Sequence, residues 1–334
     1  LLALAIAGAA VSAQADVSVS GHVNYSAGDL KEFNGNDGLD IQNNGASGSR
    51  FRIVASKEAN GITYGTRQEL GLTTGGTGAL NTRVSEFTIS GDFGKFSLGQ
   101  GWESGDDAAE QDFSGTYLLN GTAFDAWDAG NNFNNVDGGR DNRLRYDSPK
   151  LGGVVKIVAD YDTNDSLGLA VFAGGSNWKL GVFTEQKGDV GTSVATTTDD
   201  QTDEVGASIA FKVAGFTAAL QMGKKDGQRA IAATTTTNAV AAADEQEYRG
   251  VILGYRVGKF SVAVDSANYE QTAVTGGAAT VDNDTKGLSF VYRPTGGVEL
   301  YAGIRTADAN VVGATPFAGQ NSADGFLVGG RVKF

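Results

Sequence analysis

The stretch VSVSGHVNY, residues 17–25, decides the fold class of this chain. Its odd-numbered positions hold Val, Val, Gly, Val and Tyr, and its even-numbered positions hold Ser, Ser, His and Asn. Successive side chains of a β-strand point to opposite faces of a sheet, so the alternation predicts a strand with one apolar and one polar face. The polar face of such a strand has to meet water.

The same alternation recurs along the chain and is punctuated by turn residues. It returns at 50–55, 155–161, 178–182, 298–305 and 326–334. Short turns marked by Gly or Pro stand at 59–61, 91–94, 149–153, 174–177, 214–215, 258–259 and 294–297. Polar connections, most of them longer, stand at 28–47, 73–80, 102–139, 162–166, 186–203, 224–245, 270–283 and 306–323. Seven turns and eight connections predict sixteen strands, although the connection at 162–166 is short for its side of the sheet.

This arrangement of turns and loops favours one architecture over two others. An even number of antiparallel strands, with short turns at one end and long loops at the other, is typical of an outer-membrane β-barrel. A soluble sandwich has no reason to carry its long loops at one end only, and a β-helix needs a repeating rung motif that this sequence lacks. The predicted fold is therefore all-β: a sixteen-stranded antiparallel transmembrane β-barrel whose apolar parity faces outer-membrane lipid.

Composition is consistent with one barrel domain, residues 16–334, preceded by a processed segment. The apolar run 1–13 is too short to span a bilayer and ends in Ala13-Gln14-Ala15, so residues 1–15 are predicted to be the tail of a signal peptide. A buried first strand is the alternative, but Ala-rich runs form poor strands. The chain has no Cys, so backbone pairing and packing have to stabilise it, and its net charge of −13 argues against nucleic acid as a partner.

The alternation along each strand predicts which charged side chains face lipid and which face the lumen. Because the interior of a sixteen-stranded barrel is too wide for side chains to fill, the polar parity lines water. Arg83 shares the parity of Phe87 and Ile89, which face outward, unless a β-bulge intervenes. The arginines that this parity directs into the lumen, as the basic side of a pore constriction, are Arg50, Arg52, Arg67, Arg143 and Arg145.

The connection from Trp102 to Gly139 carries eight carboxylates and neither Lys nor Arg. Loops of this length in compact domains are usually functional or disordered, and the clean strands on both sides favour function. Folded into the barrel, its carboxylates would face the arginines and set a transverse field. Alternatively, the arginines only solvate the lumen and the carboxylates keep a surface loop soluble. The predicted acidic side of the constriction consists of Asp106, Asp107, Glu110, Asp112 and Asp125.

Several short motifs follow one another in a particular order: the A-x-A signal end followed by VSVSGH at 17–22, GDFGKFSLG at 91–99, RYDSP at 145–149 with Gly152-Gly153, and the terminal Phe334. In this order they resemble the general diffusion porins of Gram-negative outer membranes. The resemblance covers essentially the whole chain. It implies a homotrimer of sixteen-stranded barrels, a third loop folded inward as the constriction, and passive diffusion of small hydrophilic solutes and ions. It also implies that Phe334 is an assembly signal.

Two departures from the family pattern concern the loops. Many members carry a Pro-Glu-Phe-Gly turn at the tip of the third loop, whereas here that loop has no Pro, and residues 124–128 are nearest to it in character. Enterobacterial members hold subunits together through an acidic second loop, whereas residues 73–79 carry no charge. The trimer contacts are therefore expected elsewhere.

Other chemistry has little support in the sequence. The only histidine, His22, lies on the lumen parity without a nucleophile beside it, so no enzyme and no cofactor are predicted. The acidic run 34–40 offers oxygen ligands for Ca²⁺ without EF-hand spacing, so calcium there or in the third loop is a minor alternative.

Within the channel class, the alternative is a solute-specific channel, for which only Phe183 and Tyr301 are aromatic candidates on the lumen parity. From another class, the alternative is a non-conducting structural or adhesin barrel. The net charge of −13 and the acidic loops predict a weak preference for cations.

Overall fold

A computed structural model describes residues 16–29, 38–72, 80–120, 139–187, 202–230, 241–273, 280–311 and 322–334. The predicted signal segment 1–15 lies outside these residues, as does the stretch 121–138. Among the described residues, no helix has the length and apolarity needed to cross a membrane.

Almost all of the described chain is β-strand. Two short helical pieces accompany the strands: a 3-10 turn at Gly45–Ser47 and a single helical turn, α1, at Tyr117–Asn120. The strands are β1 (Asp16–Asp29), β2 (Asp40–Asn43), β3 (Arg50–Ala59), β4 (Ile62–Leu72), β5 (Leu80–Gly91), β6 (Gly94–Trp102), β7 (Arg140–Asp147), β8 (Val155–Asp162), β9 (Leu167–Gly174), β10 (Trp178–Lys187), β11 (Thr202–Val213), β12 (Phe216–Ala230), β13 (Ala241–Val257), β14 (Phe260–Ala273), β15 (Thr280–Tyr292), β16 (Val298–Val311) and β17 (Ser322–Lys333).

The strands form one closed antiparallel sheet. Each of β3 to β16 pairs with the strand that follows it, and β17 pairs with β1, where His22 lies opposite Lys333 and Asp29 opposite Phe326. The opposite edge of β1 pairs with β3 over 16–22 and with β2 over 25–28, so β2 and β3 share one position in the wall. The prediction of a sixteen-stranded barrel is confirmed. Closure leaves the sheet without a free edge, which is how barrels avoid aggregation through exposed strands.

Two of the tight turns place consecutive residues at positive φ, a conformation that Gly and Asn adopt readily and Ala adopts at a cost. Asn60 and Gly61 have φ of 55° and 75°, and Ala214 and Gly215 have φ of 49° and 88°. Two consecutive positive values are typical of the type I′ turn, whose twist matches that of the strands it joins. The short connection at 162–166 also joins two paired strands, β8 and β9.

Several strands extend beyond the bounds that alternation predicts. β12 and β13 pair as far as Ala230 and Ala241, although the sequence predicts a connection over 224–245. The extension carries charge on its surface: Lys224 forms ion pairs with Asp226 at 3.2 Å and with Glu245 at 2.7 Å. When both faces of a hairpin are exposed to water, the backbone hydrogen bonds between its strands continue, but neither face needs apolar side chains. The periodicity therefore ends before the strand does.

The outer surface is apolar and the inner parity is buried or polar. On β8, Ile157 and Tyr161 are exposed, whereas Val158 and Asp160 between them are almost fully buried. Aromatic rings pack in pairs at the short-turn end, with centroids 4.8 Å apart for Phe96 and Tyr146. An apolar band bordered by aromatic rings is the surface that a membrane barrel presents to lipid.

Candidate functional site

Residues 103–120, here named the inner segment, follow β6 and lie against side chains of the inward parity. An added Cβ at Gly181 of β10 would stand 2.3 Å from Ala108 O, so a glycine allows the segment to approach that strand closely. Three hydrogen bonds to the barrel mark its course: Ser104 N to Asp160 Oδ1 (2.9 Å), Ser208 Oγ to Ala108 O (2.6 Å), and Asn44 Nδ2 to Leu118 O (3.0 Å).

A small apolar cluster supports the first part of the segment. Ala108 and Ala109 have no exposed surface and pack with Val158, Ala170 and Phe183 on the wall. Phe183, an aromatic candidate on the lumen parity, is therefore covered by the segment. Tyr301, the other candidate, is buried and donates a hydrogen bond to Asn24 Oδ1 at 2.7 Å. Neither ring is available to a passing solute.

Basic side chains hold the second part through its carbonyl groups. Lys179 donates to Asp112 O at 3.1 Å, and Arg293 donates to Gly115 O at 2.6 Å. These partners are neutral carbonyl groups, and Arg293 also forms an ion pair with Glu299 at 3.1 Å. Asp112 directs its carboxylate into the segment, where it accepts a hydrogen bond from Ser114 N at 2.7 Å. It does not line the cavity described below.

Opposite the segment, four guanidinium groups surround one carboxylate. Glu69 of β4 is fully buried, and its two oxygens lie 2.5–3.2 Å from the nitrogens of all four. Shared contact with a carboxylate lets like charges stand close together. The arginine cluster consists of Arg50, Arg52, Arg67 and Arg83. Glu69 shares the lumen parity of Arg67, so the parity rule could have found it had it been applied to carboxylates.

Arg83 joins the cluster because of a β-bulge. Glu69 pairs with Val84, and the next residue, Leu70, pairs with Thr82, so Arg83 is an extra residue on β5. A bulge of this kind reverses the face on which the following side chains stand. The sequence predicts that Arg83 faces outward unless a β-bulge intervenes. The bulge is present, and Arg83 faces the lumen.

The structure does not bring Arg143 and Arg145 to the arginine cluster. Arg143 is almost fully buried and binds Glu86 at 3.0 Å. Arg145 binds Asp147 and also donates to the carbonyls of Trp102 and Glu103. Both donate to the carbonyl of Trp102 at the start of the inner segment, so they brace it, and neither lines the cavity described below. Parity predicts the face of a strand but not the direction that a long side chain takes along it.

A cavity of about 650 Å³ separates the two charged sides. Trp102 lies at its edge, with the guanidinium carbons of Arg140 and Arg83 at 4.6 and 5.6 Å from its ring centre. Arg140 stands at the end of its strand, where alternation has no predictive value. On one side the cavity is lined by the acidic face, Asp106, Asp107 and Glu110, and on the other by Arg50, Arg52, Arg67, Arg83 and Arg140. Asp125 lies outside the described residues.

The acidic face carries one perturbed carboxyl group. Burial, followed by the like charges of Asp107 and Glu110, raises the pKa of Asp106 well above its usual range. Asp106 therefore loses its negative charge at a higher pH than an ordinary carboxylate does. The charge of the acidic face depends on pH for that reason.

Three carboxylates near the base of the segment lie close enough to share a metal ion. Glu103, Asp141 and Asp162 each offer an oxygen within 4.8 Å of the others. Glu103 already binds Lys187, and Asp162 Oδ1 accepts the backbone N–H groups of residues 164 and 166. These contacts account for the cluster as part of the wall, and calcium in the third loop stays a prediction.

The two remaining predicted residues have structural contacts. His22 Nε2 lies 2.9 Å from Gly48 O, as suits a polar wall residue. Phe334 pairs with Gly21 through two backbone hydrogen bonds of 2.9 and 3.0 Å, so the last residue is built into the closing seam of the barrel. Its role as an assembly signal stays a prediction.

A closed barrel with an apolar exterior and a charged lumen defines the class of outer-membrane channels. Residues 1–311 match the family model described as Gram-negative porin, and the chain belongs to that family. It therefore resides in the outer membrane, and family and fold together indicate a channel rather than an enzyme. No curated protein matches the chain by sequence.

Solved structures share the fold at low sequence identity. The anion-selective porin from Comamonas acidovorans is 18% identical with a TM-score of 0.74, covering 96% of this chain and 100% of that one. The outer membrane channel DcaP of Acinetobacter baumannii is 15% identical with a TM-score of 0.71, covering 97% and 98%. In-vitro folded OmpT of Vibrio cholerae, in a trimer form, is 18% identical with a TM-score of 0.64, covering 96% and 99%.

Proposed function

We propose that the protein is a diffusion pore for small hydrophilic solutes and ions, with its constriction between the acidic face and the arginine cluster. The observation that carries this proposal is the cavity of about 650 Å³ with carboxylates on one side and guanidinium groups on the other. Fixed opposite charges across water orient dipolar solutes and disfavour apolar ones. Asp125 is proposed as a further member of the acidic side.

The ion preference of such a constriction depends on the charges beside the gap, not on the net charge of the chain. Among the described lining residues, five guanidinium groups face three carboxylates, and the fully buried Glu69 offsets one more positive charge. Burial raises the pKa of Asp106, so this carboxyl group loses its negative charge at a higher pH than an ordinary carboxylate does. The proposal is therefore a preference for anions, in place of the weak cation preference that the net charge of −13 suggests. The similar fold of an anion-selective porin is in keeping with it.

The assembly proposed for the membrane is a homotrimer. A trimer form is known for OmpT of Vibrio cholerae, whose fold resembles this one. Cross-linking of the detergent-extracted protein should give a trimer band that boiling converts to monomer. A single monomer band before boiling would contradict the assembly but not the pore.

Planar bilayers test the pore directly. Addition of the folded protein in about 1 M KCl should give discrete steps of ohmic current, because a water-filled lumen conducts at any voltage that leaves it open and this salt concentration screens fixed charges. Silence from protein whose barrel is shown to be folded would refute the pore and favour the structural or adhesin barrel. Current that one solute class blocks in a saturable way would favour the solute-specific channel, although burial of Phe183 and Tyr301 argues against an aromatic track.

A further inference from the structure

Both arms of the long connection after β6 meet at Glu103. Its backbone N–H donates to Gly139 O at 3.0 Å, and the N–H of Gly139 donates to Glu103 Oε2. Glu103 is therefore the point at which the inner segment leaves the wall and the returning chain rejoins it. Whatever holds Glu103 determines where the segment starts.

One ammonium group reaches Glu103 from the wall. Lys187 Nζ, at the end of β10, lies 3.3 Å from Glu103 Oε2, 3.6 Å from Glu185 Oε1 and 3.8 Å from Glu204 Oε1. Glu185 belongs to β10 and Glu204 to β11, so Lys187 joins the segment to two strands. In the described part of the chain, no other Lys or Arg forms an ion pair with Glu103.

The surroundings of Lys187 hold more carboxylates than cations. The side chains of Glu103, Glu185 and Glu204 are 5%, 1% and 2% exposed. Glu204 has a second partner, Lys225, at 2.6 Å, whereas Glu185 Oε2 is buried and accepts no hydrogen bond within the described residues. Buried carboxylates without a cation repel one another and cost solvation energy. Within the described residues, Lys187 is therefore the cation that pairs with the Glu103 side chain, while Arg145 donates to the Glu103 carbonyl.

We infer that Lys187 is a positioning residue that holds the inner segment against β10 and β11 and thereby sets the width of the constriction. The inference rests on the proposed diffusion pore for its functional meaning. The contacts that follow Glu103 in the chain depend on it: Ser104 binds Asp160, and Ala108 packs on Gly181. When the base moves into the lumen, these contacts are lost and the acidic face approaches the arginine cluster.

A distance measurement tests the position of the segment without requiring current. The chain contains no Cys, so two cysteines placed at Asp107 and Lys150 carry spin labels at unique sites. Lys150 lies in an exposed short turn, so it reports a fixed point of the barrel. The otherwise unchanged chain should give one narrow distance distribution. Lys187→Met should broaden or shift it, and Lys187→Arg should restore it because the charge returns.

Matched variants separate this role from a general effect of removing a lysine. Lys224→Met removes an ammonium group whose partners are Asp226 and Glu245, away from the segment, and should leave the distribution unchanged. Glu103→Gln removes the partner on the segment and should act as Lys187→Met does, which keeps the inference testable if that variant does not fold. Distributions that stay narrow in folded Lys187→Met and Glu103→Gln would overturn it.

Single-channel recording supplies the functional readout. Loss of a hydrogen-bonded charge pair should raise the ratio of closed to open time in Lys187→Met by roughly tenfold or more at a fixed voltage. If the unmodified protein passes no current, the proposed diffusion pore is refuted, while the distance measurement still tests whether Lys187 positions the segment. If it conducts and Lys187→Met closes no more often, the pore stands and the inference fails.

Discussion

Glu69 is a single carboxylate shared by four guanidinium groups, and its full burial distinguishes it from the carboxylates across the gap. Glu69→Gln should raise the anion preference, because it removes one negative charge from the arginine side while leaving every arginine in place. The reversal potential in a KCl gradient measures the change. Glu58→Gln, an exposed position at the end of β3, is the control and should have little effect. Equal reversal potentials for the two variants would contradict the role given to Glu69.

Asp106 makes the ion preference depend on pH. Its pKa is raised, so the group is ionised at high pH and takes up a proton as the pH falls through that raised value. Negative charge in a constriction favours cations, so its loss should strengthen the anion preference as the pH falls. Reversal potentials recorded from alkaline to acidic pH should show this shift. Asp106→Asn should show a smaller shift, and a shift of unchanged size in that variant would assign the titration to another group.

Sequence parity located part of the arginine cluster and missed the rest for physical reasons. Arg50, Arg52 and Arg67 stand on regular strands, where alternation decides the face. Arg83 depends on a bulge that the sequence does not signal. Arg143 is on the predicted face, but its guanidinium reaches across β6 to Glu86 on β5 and does not line the cavity.

At the scale of elements, the inner segment packs closely against β10 because Gly181 has no side chain. Gly181→Ala places a Cβ 2.3 Å from the carbonyl oxygen of Ala108, a backbone atom that can move only with the segment. Overpacking of this kind costs about 1–3 kcal/mol. The segment should shift toward the arginine cluster, and the single-channel conductance should fall.

A second glycine provides the comparison. Gly296, in a short turn, has no atom within 4 Å of an added Cβ, so Gly296→Ala should leave the conductance unchanged. If Gly181→Ala also leaves it unchanged in folded protein, the close approach of the segment to β10 does not limit the current.

Alternation predicts a connection after Gly101 and a strand from Arg140, but not which wall residues the connection contacts, because those contacts are long-range.

At the scale of the whole molecule, charge is distributed unevenly along the barrel axis. The chain has a net charge of −13, yet basic residues outnumber acidic ones close to the short turns and the paired chain ends. The basic residues there are Lys57, Lys95, Arg145, Lys150, Lys156, Lys179, Lys212, Arg256, Lys259, Arg293, Arg331 and Lys333, and the acidic ones are Asp16, Glu58, Asp92, Asp147 and Glu299. The excess of acid therefore belongs to the rest of the chain.

A pore with unequal charge at its two ends should rectify. In symmetric dilute KCl, inserted channels of one orientation should pass different currents at opposite voltages of equal size. The difference should vanish near 1 M salt, where the Debye length is only about 3 Å. Current that is symmetric in dilute salt would contradict an axial charge asymmetry.

Whole-molecule features such as strand number and closure were predictable from the sequence because they depend only on the period of two and the spacing of turns.

The central claim is that the charges on the two sides of the cavity, and not the net charge of the chain, govern the passage of ions. The reversal potential of the unmodified protein in a KCl gradient at neutral pH tests this most directly. The arginine cluster and Arg140, which outnumber the three carboxylates of the acidic face, predict a potential of the sign that chloride preference gives. A potential of the opposite sign, showing preference for potassium, would contradict the account.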